Sequence, residues 1–315
     1  MPAPILLLTA QAEIVRDRIA PRLPEERFLC VTGPDDVEAA LASEPEIAFL
    51  IRGRGLPGEA YDRAARLPSL RWLHSAGSGY EYLPRWDPEK LVVTNGVGIL
   101  AAFLADTAMG AILSLNRGFP VYAERQRMRR WEGRPFRALA GQRLLVVGAG
   151  AIGQVLAERA RAFGMTTIGL SREGAPRAPF DEMHPLGALD DLLGEADVVS
   201  CHLRLTPQTT DMFDARRFAR MKPGALFLNS ARGRHVDEAA LLAALASGHL
   251  GGAWLDVFRT EPLSAESPLW DAPNLMITPH ASDMVEDWVE RFADFFAGNV
   301  ERWRAGGPML NVVRP

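Results

Sequence analysis

The chain has 315 residues, a formal net charge of −4 and near-average fractions of hydrophobic (48%) and charged (23%) residues. This length exceeds one ordinary hydrophobic core and predicts two domains. The balanced charge, with a densest arginine cluster interrupted by acidic and apolar residues at 125–137, argues against nucleic-acid binding. No apolar run is long enough to span a membrane, so a soluble protein that does not bind membranes is expected.

The cysteines and the N-terminus both bear on location. Cys30 and Cys201 lie within apolar runs, as small buried side chains do. Two such cysteines make no disulfide framework, which favours a reducing compartment. Residues 1–8 lack the basic segment and the apolar length of a signal peptide and are predicted to form a first buried strand. We therefore expect a cytoplasmic protein.

Residues 1–100 alternate short apolar runs with helical segments, which predicts a parallel sheet with helices on both faces. The predicted strands are Ile5–Leu8, Phe28–Val31, Ile47–Ile51, Leu70–Leu73 and Leu91–Thr94, and the predicted helices are Ala12–Ala20, Asp35–Ser43 and Glu59–Leu67. A flexible turn, Ser-Ala-Gly-Ser-Gly at 75–79, follows the fourth strand at the edge where such sheets bind ligands. Its backbone N–H groups could hold a carboxylate, although a purely structural turn would have the same sequence.

The middle of the chain holds an unusual pair of segments. Residues 101–117 are apolar on nearly every face and predict a buried helix that links the two domains, with Asp106 either a cap-like contact or close to a site. Residues 118–140 are polar but include Trp131 and Phe136. Either this segment is a dimerisation arm, or its rings pack against the following domain.

A second alternation of strands and helices runs from Gly141 to about residue 282. The predicted strands are Arg143–Val147, Thr166–Leu170, Val198–Cys201, Ala225–Asn229, Gly252–Leu255 and Leu275–Thr278, and the predicted helices are Ile152–Phe163, Leu189–Leu193, Ala215–Arg220 and Glu238–Ala246. Six strands with helical crossovers make a full dinucleotide fold. The amphipathic segment Ser282–Trp303 is assigned back to the first domain.

The predicted fold class is therefore α/β, with two doubly wound parallel-sheet domains. A Rossmann cofactor domain, residues 101–282, is inserted in a flavodoxin-like substrate domain formed by residues 1–100 and 283–315.

The strongest single motif is Gly148-Ala149-Gly150-Ala151-Ile152-Gly153, which joins a buried strand to a helix. In a dinucleotide-binding unit Gly148 permits the turn, Gly150 lets backbone N–H groups approach a pyrophosphate, and Gly153 lets the helix pack on the strand. The same glycines in another α/β protein would form only a turn, but the strand-turn-helix context favours the cofactor. Gln154 stands where a nucleotide triphosphatase would need lysine.

The end of the next strand indicates which nicotinamide cofactor is used. NAD-binding units place Asp or Glu there to accept the ribose hydroxyls, whereas this chain has Ser171 and Arg172. A hydroxyl and a guanidinium can bind and neutralise a 2′-phosphate. NADP(H) is therefore predicted to be preferred, with NAD(H) possible, unless Arg172 is an ordinary exposed residue.

Three segments follow later strands of this domain and bear the chemistry. They contain Arg232, Glu261 and His280, each of which alone could be structural. Together they supply an anion-binding guanidinium, a proton donor suited to neutral pH and a carboxylate that orients it.

These segments, in this order with the glycine motif, resemble the D-isomer-specific 2-hydroxyacid dehydrogenase family over essentially the whole chain. The resemblance implies that Arg232 binds the carboxylate and carbonyl oxygen of a 2-oxo acid. It implies that His280 donates the proton and that Glu261 hydrogen-bonds His280 and stabilises its charged form. Negative charge grows on the carbonyl oxygen during hydride addition, so these groups stabilise the transition state.

The resemblance also assigns binding residues. It places Asp256 near the nicotinamide carboxamide and the amides of Ser78 and Gly79 around the substrate carboxylate. Further cofactor contacts are expected at Ala151, Ile152, Thr206 and Ala231. No metal is expected. Arg204, Arg234 and His235 depart from the family's usual residues, and their roles stay open.

The predicted function is NADPH-dependent reduction of a small 2-oxo acid, glyoxylate or hydroxypyruvate, to the D-2-hydroxy acid. One alternative keeps the chemistry with a bulkier 2-oxo acid. Another is a dinucleotide-sensing corepressor without turnover. A homodimer built through the cofactor domain is expected by resemblance, with Trp131 a candidate to reach the partner subunit.

Overall fold

The computed structural model describes residues 3–52, 55–80 and 82–315. The chain divides into two compact units, one formed by the residues up to Leu100 together with Val285–Pro315, and the other by Ala101–Met284. The chain thus returns to the first unit at Val285, two residues later than the predicted boundary at 283. The side chain of Ser282 hydrogen-bonds Asp256, which accounts for its place in the second unit.

The first unit begins with alternating strands and helices. In chain order they are β1 (Ile5–Leu8), α1 (Ala12–Ile19), β2 (Phe28–Val31), α2 (Val37–Leu41), β3 (Ile47–Leu50), α3 (Gly58–Ala65), β4 (Trp72–Ser75) and β5 (Val92–Asn95). These strands pair in parallel in the order β5-β4-β3-β1-β2. This is the flavodoxin-like order, which confirms the predicted fold class for this unit. β1 and β3 are buried throughout, as parallel strands covered on both faces are.

Two predicted elements of this unit are displaced. The fourth strand is Trp72–Ser75 instead of Leu70–Leu73, because His74 and Ser75 are buried although they are polar. The predicted helix 35–43 is split into a 3₁₀ turn, Pro34–Asp36, and the short α2.

The second unit opens with two helices, α4 (Ala101–Arg117) and α5 (Phe119–Arg127). α4 is the predicted buried helix, and Asp106 on it pairs with Arg159, so Asp106 has a structural partner. α5 was not predicted, because its apolar residues form no buried stripe along the helix. Gly118, with a left-handed φ of +74°, separates the two helices.

The remaining elements of the second unit form a doubly wound sheet. In chain order they are β6 (Arg143–Val147), α6 (Ala151–Ala162), β7 (Thr166–Ser171), β8 (Glu182–Pro185), α7 (Leu189–Leu192), β9 (Val198–Cys201), α8 (Ala215–Arg220), β10 (Leu226–Asn229), α9 (Glu238–Ala246), β11 (Gly252–Leu255) and β12 (Leu275–Ile277). All pairs are parallel, in the order β12-β11-β10-β9-β6-β7-β8, which contains the Rossmann order. The sheet has seven strands instead of the predicted six. Sequence reasoning missed β8, because this edge strand is only partly buried and has no apolar run.

Side chains alternate between the two faces of this sheet and build two cores. Leu145, Val147 and Phe227 contribute to the core on one face. Val146 and Trp254 contribute to the core on the other face, against α4 and α6. The loops at the carboxyl ends of the strands are therefore attached to a sheet that is covered by buried side chains on both faces.

The last helix, α10 (Trp288–Arg304), belongs to the first unit, where a short final strand, β13 (Val312–Val313), pairs antiparallel with β5. Phe296 of α10 lies 4.9 Å from Phe49 and 5.1 Å from Trp72 between ring centroids. Across the described ranges, no helix combines the length and apolar character needed to cross a membrane.

Candidate active site

The glycine turn is set by close backbone contacts. Gly148 has a φ of +112°, and a Cβ there would lie 2.6 Å from the carbonyl oxygen of His202 at the end of β9. A Cβ at Gly153 would lie 2.5 Å from the carbonyl oxygen of Gly148, so α6 packs directly on the turn. A Cβ at Gly150 would instead meet open space. The first turn of a helix leaves its N–H groups without intrahelical partners, so Gly150, Ala151 and Ile152 present donors suited to a pyrophosphate.

Ser171 is the last residue of β7, beside the glycine turn in the sheet. Its hydroxyl oxygen accepts a hydrogen bond from the backbone N–H of Gly174 at 3.0 Å, which leaves the hydroxyl proton free to donate. Arg172 is exposed and makes no hydrogen bond or ion pair with the described residues. The structure thus leaves a hydroxyl and a guanidinium available where the sequence predicts a 2′-phosphate.

Thr206 lies in the loop after β9. Its backbone N–H donates to Oγ1 of Thr209 at 2.8 Å, which holds the loop.

His235 contacts the same loop and is fully buried. Its Nδ1 lies 2.9 Å from the carbonyl oxygen of Thr209, and its Nε2 lies 3.1 Å from that of Leu203. Burial lowers the pKa of His235, and these contacts give it a structural role that the sequence left open.

Arg232 follows β10 in a loop that Asn229 shapes. The Asn229 side chain accepts from the N–H of Ala231 at 3.1 Å and donates to the carbonyl oxygen of Arg232 at 3.0 Å. The Arg232 guanidinium is half-buried and donates to the carbonyl oxygen of Ala231 at 2.7 Å. This bond occupies one N–H of the guanidinium, and others remain for an anionic ligand.

The loop that bears Arg232 touches the loop that bears Glu261. A Cβ at Gly233 would lie 1.9 Å from the backbone carbon of Phe258, so only glycine permits this approach. The N–H of Phe258 in turn donates to Glu261 Oε1 at 2.9 Å. Backbone contact thus fixes the spacing between the two loops.

His280 and Glu261 form the central pair of the site. His280 Nδ1 lies 2.7 Å from Glu261 Oε2, and the imidazole is partly exposed. With Nδ1 bound to the carboxylate, Nε2 has no hydrogen-bond partner among the described residues. The arrangement can hold the ring in one orientation and present a proton at Nε2.

Asp256 builds the turn on which His280 stands. Its carboxylate is 1% exposed and accepts from Thr278 Oγ1 at 2.5 Å, from the N–H of Ala281 at 2.9 Å, and from both the N–H and the hydroxyl of Ser282 at 3.2 and 2.5 Å. The N–H of His280 donates to the backbone oxygen of Asp256 at 2.8 Å. His280 is held at a φ of +51°, a conformation that is uncommon outside glycine. This anchoring of the histidine turn by Asp256 was not foreseen from the sequence.

Asp283 is a carboxyl group that sequence reasoning also missed. Burial raises its pKa, and the positive charges of His280 and Arg232 oppose that rise. Both basic groups therefore lie within electrostatic range of one carboxyl. Arg232, Glu261 and His280 are thus brought to one edge of the second unit's sheet, together with Asp283.

Ser78 and Gly79 belong to the first unit, in the loop after β4. The carbonyl oxygen of Ser78 accepts from Asn95 Nδ2 at 2.8 Å, and that of Gly79 accepts from Ser75 Oγ at 3.3 Å. Their own backbone N–H groups donate to no described residue. The loop is therefore held through its carbonyl groups, and its amide groups are available.

A Rossmann sheet with a glycine turn and an acid-histidine pair at its carboxyl edge defines a dinucleotide-dependent α/β protein. The sequence model of the D-isomer specific 2-hydroxyacid dehydrogenase NAD-binding domain matches residues 109–282. The chain is 33% identical over 298 residues to glyoxylate/hydroxypyruvate reductase B of Klebsiella pneumoniae, covering 88% of this chain and 92% of that protein. The chain belongs to the D-isomer specific 2-hydroxyacid dehydrogenase family, as its motifs predicted.

Two further comparisons extend this result. D-3-phosphoglycerate dehydrogenase of Mycobacterium bovis is 32% identical over 302 residues, covering 93% of this chain but only 57% of that protein. The chain thus spans little more than half the length of that relative. A D-isomer specific 2-hydroxyacid dehydrogenase of Xanthobacter autotrophicus, solved with NADPH and MES, superposes with a TM-score of 0.84 at 29% identity, covering 100% of this chain and 99% of that one.

Proposed function

We propose that this protein is an NADPH-dependent reductase of small 2-oxo acids, of the glyoxylate or hydroxypyruvate type, that forms the D-2-hydroxy acid. The observation that carries the proposal is the 2.7 Å contact between His280 Nδ1 and Glu261 Oε2 in a dinucleotide-binding unit. An acid-histidine pair with a free Nε2 can deliver a proton to a reacting oxygen. The name of the Klebsiella relative supports the substrate class.

In this mechanism NADPH, held by the glycine turn and the end of β7, would supply the hydride that adds to the carbonyl carbon of the substrate. Arg232 binds the carboxylate and the carbonyl oxygen, on which negative charge develops. His280 donates a proton from Nε2 to that oxygen, and Glu261 keeps the ring oriented and stabilises its charged form. Groups that act on the developing charge lower the barrier because they bind the transition state more tightly than the substrate.

The amides of Ser78 and Gly79 are proposed to bind the substrate carboxylate. Their N–H groups have no acceptor among the described residues, which is the state that an anion-binding loop requires.

The glycine turn fits a pyrophosphate, and the end of β7 fits a 2′-phosphate. Ser171 keeps a hydroxyl proton to donate, and Arg172 has no carboxylate partner in the described ranges. A carboxylate at this point would repel the phosphate, whereas a guanidinium neutralises it. We therefore propose that NADPH is preferred over NADH. Contacts of Thr206, Ala231 and Asp256 with the cofactor are part of the same proposal.

The decisive assay follows NADPH oxidation at 340 nm with a panel of 2-oxo acids. Glyoxylate, hydroxypyruvate, phenylpyruvate and 2-oxoisovalerate cover the small, aromatic and branched classes. We expect the highest kcat/KM with the first two. Faster turnover of phenylpyruvate would move the assignment to a bulkier substrate. Tight cofactor binding without turnover of any acid would instead favour a dinucleotide sensor.

We further propose a homodimer through the segment 119–136. Phe119, Met128 and Phe136 are about half exposed, and the Trp131 side chain is fully exposed. Large apolar side chains clustered on one segment are typical of an interface. Light scattering should give the mass of a dimer, and Trp131→Glu should reduce that mass toward a monomer.

A cytoplasmic location stays a prediction, consistent with the free thiols of Cys30 and Cys201.

A further inference from the structure

The loop that follows β7 reaches back to the glycine turn through one arginine. Arg177 Nη1 donates a hydrogen bond to the carbonyl oxygen of Ala149 at 2.8 Å. Ala149 lies between Gly148 and Gly150, the residues that define the turn. The guanidinium of Arg177 therefore connects the loop after β7 to the glycine turn.

This loop has further attachments that limit the movement of Arg177. The backbone N–H of Gly174 donates to Ser171 Oγ, and a Cβ at Gly174 would lie 2.4 Å from the backbone nitrogen of Pro185 in β8. Arg161 of α6 donates to the carbonyl oxygen of Pro179 at 2.6 Å. The loop is thus held at both ends, and the guanidinium of Arg177 has a defined place before any ligand binds.

The charge of Arg177 is not compensated by a carboxylate within the described residues. Its one hydrogen bond goes to a neutral carbonyl group, and the other N–H groups remain available. Nearby arginines differ, since Arg159 pairs with Asp106 and Arg161 pairs with Asp181. Arg172 also lacks a partner there, so the segment that follows Ser171 contains two arginines whose charge is not compensated by a described carboxylate.

We propose that Arg177 is a second ligand of the cofactor's 2′-phosphate and a determinant of NADPH selectivity. In a Rossmann unit the adenosine ribose lies between the glycine turn and the end of the second strand. Arg177 bridges these two places, whereas Arg172 is attached to the strand end alone. Two guanidinium groups and the Ser171 hydroxyl would then be available to bind the phosphate. This inference rests on the proposed NADPH dependence.

The test compares Arg177→Met with Arg302→Met. Both variants remove one exposed guanidinium that hydrogen-bonds a backbone oxygen, but Arg302 bonds Gly298 in α10, whereas Arg177 bonds the glycine turn. Titration of the full chain with NADPH and NADH should show that Arg177→Met weakens NADPH roughly 10-fold or more, while NADH changes less than about twofold. Arg302→Met should leave both affinities unchanged.

Other outcomes overturn the inference. If Arg177 only supports the glycine turn, Arg177→Met weakens NADPH and NADH equally. If Arg172→Met loses NADPH selectivity and Arg177→Met keeps it, the phosphate has one arginine ligand and the proposed cofactor preference survives. If the unmodified chain binds both cofactors equally, the inference and the NADPH preference fail together.

A conservative variant and a minimal probe guard against a folding defect. Arg177→Lys keeps the charge and should retain most of the NADPH affinity if the phosphate is the ligand. Adenosine 2′,5′-bisphosphate carries the 2′-phosphate without the nicotinamide, and 5′-AMP lacks it. Arg177→Met should weaken the bisphosphate and leave 5′-AMP unchanged, and equal losses would contradict the proposal.

Discussion

The imidazole of His280 is fixed by two carboxylates that act in different ways. Glu261 bonds the ring at Nδ1, whereas Asp256 bonds the backbone and side chains on either side of His280. The ring orientation and the backbone conformation are thus set separately. This division explains how a residue at a φ of +51° keeps one geometry.

At this scale we predict that His280→Ala abolishes most 2-oxo acid reduction and leaves NADPH affinity close to that of the unmodified protein. The proton donor is lost, whereas the glycine turn and the end of β7 are unchanged. General acid catalysis contributes about 10²- to 10⁴-fold, so kcat should fall within that range. Single-turnover kinetics and cofactor titration measure the two effects.

His249→Ala is the matched control, because His249 bonds a backbone oxygen of Met221 outside the site. It should keep nearly full turnover. An unchanged rate in His280→Ala would remove that histidine from the mechanism.

Residue types and their order make Arg232, Glu261 and His280 candidates from the sequence alone, and the structure brings His280 and Glu261 into contact. The roles of Asp256 and Asp283 could not be derived in that way. They depend on which side chains meet when β11 and β12 pair in their actual register, and a pattern of residue types does not encode that contact.

At the scale of elements, the site depends on two loops that pack backbone to backbone. Gly233 begins a 3₁₀ turn that rests on Phe258. The atoms of Phe258 at this contact belong to its main chain. No rotamer change of Phe258 can therefore make room for a methyl group added at Gly233. This backbone contact therefore fixes the distance between the loop that bears Arg232 and the loop that bears Glu261.

Gly233→Ala should lower the free energy of unfolding by about 1–3 kcal/mol, the cost of an overpacked site, and should reduce turnover as the loops separate. Gly187→Ala is its control, since a Cβ at Gly187 meets nothing within 4 Å. Chemical denaturation and steady-state kinetics report both effects. Equal stability of the two variants would show that the loops can yield without loss.

The packing of α10 on β4 gives the first unit a dependence on pH. His74 is fully buried beneath Phe296 and Phe49, and burial lowers its pKa from 6.5 to about 3. Below pH 6.5 the unfolded chain therefore binds a proton at His74 that the folded chain does not bind. Stability from this group is complete above pH 6.5 and is lost as the pH falls.

We predict that His74 alone lowers the unfolding free energy of the first unit by about 2 kcal/mol between pH 7.5 and pH 5. Urea denaturation followed by tryptophan fluorescence measures this slope. His74→Gln cannot take up the proton and should show a flatter dependence over the same range. Parallel curves for the two proteins would contradict the assignment.

The elements most reliably predicted from sequence are those whose side chains are apolar and buried throughout, such as β1 and β11. β8 and α5 were missed because they lie at an edge or a surface and have few buried residues to mark them. The shift of β4 has the opposite cause, since His74 and Ser75 are buried polar residues in a strand interior.

For the whole molecule, the main feature is that one unit is continuous in sequence and the other is not. The second unit, Ala101–Met284, contains its own cores and also Arg232, Glu261, His280 and Asp283. The first unit depends on α10, whose Arg18–Asp294 and Arg304–Glu26 ion pairs join residues more than 270 positions apart.

We expect a fragment of residues 101–284 to fold and to bind NADPH, although without reductase activity. A fragment of residues 1–100 should not fold, because Phe49 and Trp72 lose the aromatic cover of Phe296. Circular dichroism and cofactor titration of the purified fragments test both statements. A cooperatively folded 1–100 fragment would show that α10 is dispensable.

The split first unit also sets a sequence of events during synthesis. When the ribosome translates α10, all strands of the second unit have already been synthesised. Because domains fold as units during synthesis, the second unit can fold at this stage. Throughout that time the apolar strands β1–β5 of the first unit are exposed, because α10, which packs on them in the folded protein, has not yet been synthesised. We therefore expect chaperones to bind the strands of the first unit during synthesis, and to be needed no longer once α10 has emerged and can pack on them.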